Sequence, residues 1–173
     1  HALLEQEDAA RKFFDRKRGA RPQKPDLTTS RVETLMARNP LTCGPTTTVQ
    51  EAATLMRDTR VSSVCVTEDG RLKGIATIRD VSGKVVAGAL PFDTPITQIM
   101  TKNPMTLSPS AIGSDVLHLM MERRFGHVPV TDGGKLVGIV TQTDLTRFQA
   151  VSSAELVSEL AHAKTAEDMA KVT

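Results

Sequence analysis

The sequence predicts an α/β fold: two pseudo-symmetric units, each of β-α-β-β-α order, packed sheet to sheet. Three observations carry that prediction. The chain matches itself without a gap at an offset of 64 residues, and 17 of the 50 positions from residue 32 to residue 81 recur unchanged. Within each copy a helical pattern precedes two short β-rich runs and a second helical start. A small sheet with helices on one side leaves its other face apolar, and the second copy is the natural cover.

Each unit opens with a Pro-bounded extended piece, "NPLTCGP" in the first and "NPMTLSP" in the second. Proline fixes its own φ and disfavours helix in the residue before it. An amphipathic helix follows. In unit one, Thr48 and Glu51 have the spacing of a capping box, and Ala52, Leu55 and Met56 recur on one face. In unit two Ile112 stands at the cap position, so that start is less well specified. Two strands come next, "SVCVT" with "LKGIAT" and "HVPVT" with "LVGIVT". The intervening "EDG" and "DGG" are hairpin turn signals. A second helix begins just after each hairpin, through "RDVSGKVVAG" and "TDLTRFQA".

The chain therefore divides into an N-terminal charged helical arm and linker (1–30), unit one (31–90), unit two (91–150) and a C-terminal connecting helix (151–173). The arm carries mixed charge, with Phe13 and Phe14 on one apolar face and a Pro-rich break after it. In the tail, Leu156 and Leu160 lie one turn apart, with Ser152 or Ser153 placed to cap a new helix. The start at His1 and the abrupt end "EDMAKVT" read as a piece cut from a longer protein.

Composition narrows the function classes. A hydrophobic share of 39% in 173 residues supports a packed core rather than disorder. A net charge of +2, with no Trp and no Tyr, gives no support to nucleic-acid binding. No apolar run approaches a membrane span, and no stretch of these residues has the pattern expected of a signal peptide. Cys43 and Cys65 read as free thiols in a reducing compartment, which points to the cytoplasm. The histidines, His1, His118, His127 and His162, lack metal-ligand spacing, so no metal is predicted. There is no P-loop and no paired acid/base constellation, so the chain does not read as an enzyme.

One phrase is written twice: "GIATIRD", Gly74 to Asp80, and "GIVTQTD", Gly138 to Asp144. Each puts a Thr at the end of a strand and an Asp in the first turn of a helix. Taken singly, this is helix capping. As a pair it can be more. A carboxylate there repels phosphate but accepts hydrogen bonds from a ribose diol, while neighbouring apolar strand residues can clasp a base. An adenosine-like ligand fits that chemistry, its phosphates directed away from the Asp toward basic groups.

From about residue 32 to residue 150 the chain resembles a tandem pair of cystathionine-β-synthase (CBS) domains, a Bateman module. The resemblance rests on the two Thr-x-x-Asp phrases, on "VSSVCVTEDG" and "GHVPVTDGG", and on the openings "LMARNP" and "IMTKNP". It implies a regulatory module that binds AMP, ADP or ATP, or in some relatives S-adenosylmethionine, NAD or a cyclic dinucleotide. It implies two clefts shared between the units. One would take Thr141, Thr143 and Asp144, with Pro40, Leu41, Val61 and Ser62 around the base and His127 toward phosphate. The other would take Thr77 and Asp80, with Pro104, Met105, Phe125 and Gly126. There Ser63 and Arg79 replace His127 and Thr143, so the Asp144 cleft is expected to be the better phosphate site. No arginine cluster is evident at either cleft; Arg60, Arg123 and Arg124, near helix ends, are the candidates.

The resemblance further implies a homodimer through the CBS units. The flanking stretches resemble a bacterial signalling group, in which a cyclic-nucleotide-binding domain precedes the pair and a nucleotidyltransferase-like domain follows. The competing reading is a structural dimerisation module with empty clefts.

Overall fold

The structure is a computed structural model that describes residues 25–170. The charged arm, with Phe13 and Phe14, lies outside the described residues. In chain order the elements are α1 (Val32–Leu35), β1 (Thr42–Cys43), α2 (Val49–Thr59), β2 (Ser63–Glu68), β3 (Arg71–Thr77) and α3 (Ile78–Asp80). Then come a π-helical turn (Val81–Val86), a 3-10 turn (Ile96–Gln98), β4 (Thr101–Lys102), α4 (Gly113–Arg123), β5 (His127–Asp132), β6 (Lys135–Thr141) and α5 (Gln142–Ala170). The α/β class and the doubled β-α-β-β-α order are those the sequence predicts.

The two hairpins, β2–β3 and β5–β6, are copies in register. Cys65 pairs with Ile75, and Pro129 with Ile139. Their turns need positive φ at both central residues, and Asp69 with Gly70, and Gly133 with Gly134, supply it. The hairpins meet at Arg71 and Lys135, where β3 pairs with β6. Between them Cys65, Ile75 and Ile139 form a buried seam, with Leu72 and Leu136 packed against it. This is the apolar face that each copy hides for the other. Cys43 and Cys65 are both free thiols, and burial pushes the Cys65 thiol up to about 12.

The opening segments do something the periodicity does not reveal. Residues just before each Asn-Pro cross to the other unit: β4 pairs with β3, and Ala37 bridges Ile139 of β6. Residues just after each Asn-Pro return, with β1 running parallel to β2 and Leu107 parallel to Val130. The cores are mixed accordingly. Ile96 and Ile99 are fully buried against Val49, Met56 and Val64 of unit one. Leu27, Val32 and Leu35 are buried against Val116, Val128 and Val140 of unit two.

The helix starts follow local chemistry. Glu51 N–H donates to Thr48 Oγ1 at 3.1 Å, completing one arm of the capping box. At Ile112, where no hydroxyl is present, Asp115 Oδ2 accepts from the Ile112 N–H at 3.0 Å, so half the box survives. Two helical readings change. After α3 the chain relaxes into a π-helical turn containing Gly83, a residue that weakens regular helix. And α5 runs unbroken from Gln142 through 29 residues, so neither Ser152 nor Ser153 caps a separate helix.

Candidate functional site

At the end of β6 the Thr141 N–H donates to Asp144 Oδ2 at 2.9 Å, and the Asp144 N–H donates to Thr141 Oγ1 at 3.2 Å. Capping is therefore real, and it accounts for one carboxylate oxygen. Among the described residues Asp144 Oδ1 has no partner. It borders a cleft of about 470 Å³ lined by Pro40, Leu41, Val61 and Ser62 from unit one and Thr141, Thr143 and Asp144 from unit two. That volume suits a small ligand. Val61 and Ile78 are exposed apolar side chains on its wall, a surface that a flat base can cover.

The pseudo-symmetric cleft encloses about 560 Å³ and is lined by Thr77, Asp80, Pro104, Met105, Phe125 and Gly126, among others. Its aspartate is held more tightly. Asp80 Oδ2 accepts from the Thr77 N–H at 2.9 Å and from Thr77 Oγ1 at 3.3 Å. Asp80 Oδ1 lies 3.2 Å from Lys84 Nζ. The structure thus gathers the sequence-predicted residues around two clefts, with a chemical difference between their two aspartates.

His127 and Ser63 sit differently from the sequence reading. His127 lines both clefts, not one, and so does Ser62. The two are joined by a hydrogen bond of 2.8 Å between Ser62 Oγ and His127 Nε2. Burial pushes the imidazole below its ordinary value, and the nearby Asp144 charge partly opposes that shift. The ring is therefore neutral near pH 7. Ser63 is buried and lines the Asp144 cleft rather than standing in for His127 in the other.

Each cleft also holds a pair of arginines. Arg60 and Arg147 line the Asp144 cleft, and Arg79 and Arg124 line the other. Arg60 and Arg124 occupy equivalent C-caps in the left-handed region, which turns each chain back toward its cleft. Arg123 lines neither. Sequence reasoning missed Arg147, whose repeat partner is Gly83. Its spacing of three residues from Asp144 on α5, on the same helix face, was the available signal. The remaining described histidines are ordinary helix residues: His118 pairs with Glu122 at 3.2 Å, and His162 contacts the Ser158 carbonyl. Among the described residues no cluster of His, Cys, Asp and Glu could hold a metal. No helix there is long and apolar enough to cross a membrane.

Comparison with known proteins gives the same division. The CBS domain family model matches residues 32–87 and again 96–151. Over 116 residues the chain is 34% identical to the CBS domain-containing protein YhcV of Bacillus subtilis, covering 67% of this chain and 83% of that one. The crystal structure of an uncharacterized conserved protein from Pyrococcus horikoshii is similar at a TM-score of 0.67 and 35% identity, over 71% of this chain and 93% of that one. CBS domain protein PAE2072 from Pyrobaculum aerophilum, solved in complex with AMP, is similar at a TM-score of 0.63 and 27% identity, over 66% of this chain and 89% of that one. With one Thr-x-x-Asp edge inside each matched span, the chain belongs to the CBS-domain family, as a tandem pair.

Proposed function

We propose that this chain is a regulatory module that senses an adenosine nucleotide, AMP, ADP or ATP, and controls an output domain attached to it. The observation that carries the reading is the free Asp144 oxygen at a cleft whose walls come from both units. A ribose diol would donate to Asp144 Oδ1. The base would lie between Pro40, Leu41 and Val61, and the phosphates would reach Arg60 and Arg147. The AMP complex of a similar CBS protein supports that ligand class. Because both units contribute walls, occupancy favours one packing of unit on unit over others, which is the condition for coupling ligand to output. The helix α5 starts on the cleft edge itself and so carries the change outward. In this reading the chain is not itself an enzyme and works in the cytoplasm. The output domain would be nucleotidyltransferase-like, in a bacterial signalling protein that also carries a cyclic-nucleotide-binding domain.

Assembly as a homodimer fits the exposed apolar side chains on the unit helices, with Met121 81% exposed and Leu55 and Ile112 at the margin of exposure. The test is calorimetric titration of AMP, ADP and ATP into the protein and into Asp144→Ala. Loss of a charge-assisted hydrogen bond costs about 1.5–3 kcal/mol, so the variant should bind roughly ten- to hundredfold more weakly. If none of the three binds the unaltered protein, the sensing function is wrong and the dimerisation reading with empty clefts replaces it.

A further inference from the structure

The two clefts carry different charge around the same edge. Repeat register pairs Lys84 of unit one with Phe148 of unit two, and Gly83 with Arg147. Lys84 is anchored at two points: Nζ donates to the Ile99 carbonyl at 2.8 Å and lies 3.2 Å from Asp80 Oδ1. It is not part of the cleft lining, so it neutralises Asp80 from behind. Phe148 instead packs against the unit-two core and offers Asp144 nothing. The Asp80 cleft thus presents Arg79 and Arg124 with its carboxylate compensated and both carboxylate oxygens engaged. The Asp144 cleft presents Arg60 and Arg147 against an uncompensated carboxylate with one oxygen free.

We propose that the two clefts sort adenosine ligands by phosphate number, the Asp144 cleft taking the monophosphate and the Asp80 cleft the triphosphate. The inference rests on the nucleotide-sensing reading above. A free carboxylate oxygen rewards a ribose diol, but its uncompensated charge repels each added phosphate. Where Lys84 cancels that charge, added phosphates meet the two arginines unopposed, and the diol contributes less. Both effects favour the triphosphate at Asp80 and the monophosphate at Asp144, the reverse of the phosphate preference expected from His127 and Thr143 in the sequence.

Methyl NMR on the full chain separates the sites without blocking either one. Val61 lines only the Asp144 cleft and Met105 only the Asp80 cleft, so their methyls report one site each. Titration with AMP and with ATP, free of divalent ions and at matched ionic strength, should give an ATP-to-AMP affinity ratio about tenfold higher at Met105 than at Val61. Lys84 is half-exposed, so Lys84→Gln is compatible with folding. It should lower the ratio at Met105 about tenfold and leave that at Val61 unchanged. Equal ratios at the two reporters, or a Met105 ratio indifferent to Lys84→Gln, overturn the proposal. If neither reporter moves with any nucleotide, the sensing reading itself fails, and that result is distinct from binding without sorting.

Discussion

His127 Nε2 can serve one neighbour at a time. In the structure it serves Ser62, and both residues face both clefts. The surrounding charges are Arg79, Asp80 and Arg124 on one side and Arg60, Asp144 and Arg147 on the other. Because burial holds the folded imidazole below its ordinary value of 6.5, the unfolded chain takes up a proton more readily than the folded one. This contribution to stability is present in full above pH 6.5. It falls away as pH drops from there toward the folded value. Denaturant melts of the ligand-free protein across pH 5 to 8 should show this decline, and His127→Gln should flatten it. A slope that His127→Gln leaves unchanged would assign the titration elsewhere. At this scale the sequence was partly legible. Thr-x-x-Asp could be read as a cap because capping is local chemistry. The Ser62–His127 bond could not, because it joins residues 65 apart, and self-comparison pairs Ser62 with Gly126 and Ser63 with His127.

The elements were legible wherever a local rule fixes them. Asp69-Gly70 and Gly133-Gly134 set the hairpin turns, Thr48 and Glu51 set the start of α2, and the observed hairpins and helix follow. What escaped was the path of the opening segments, since a residue's partner across units leaves no trace in periodicity. One trace was present in the repeated phrase itself. A Cβ built on Gly138 would run into Met36 Sδ and lie 2.9 Å from the Ala37 carbonyl oxygen, and one on Gly74 would meet Met100 and Thr101 in the same way. The glycine that opens "GIATIRD" and "GIVTQTD" is there so that the crossing segment of the opposite unit can lie against the strand. Gly138→Ala should therefore destabilise the fold by about 1–3 kcal/mol, as overpacking does, read as a lower denaturation midpoint with an unchanged slope. A neutral effect would mean that the Met36–Ala37 segment yields without cost.

For the whole molecule, the exchange of openings means that neither half owns a complete core. Cutting the chain after residue 90 removes Ile96 and Ile99 from unit one, both 0% exposed. Each such burial is worth about 1.5–3 kcal/mol, and a domain's net stability is only about 5–15 kcal/mol. A fragment of residues 25–90 should therefore lack a cooperative unfolding transition by calorimetry, and adding residues 91–170 in trans should restore one. A fragment that melts cooperatively alone would show that unit one is self-sufficient. The same integration bears on α5. Its first turn holds Asp144, and its 29 residues extend about 43 Å at 1.5 Å per residue. A tilt of about 5° at that root would displace the far end by about 4 Å, on the helical rise just used. The helix is thus a pointer pivoted at the cleft edge: a change too small to see beside Asp144 becomes, at Ala170, about the spacing between neighbouring residues along a chain.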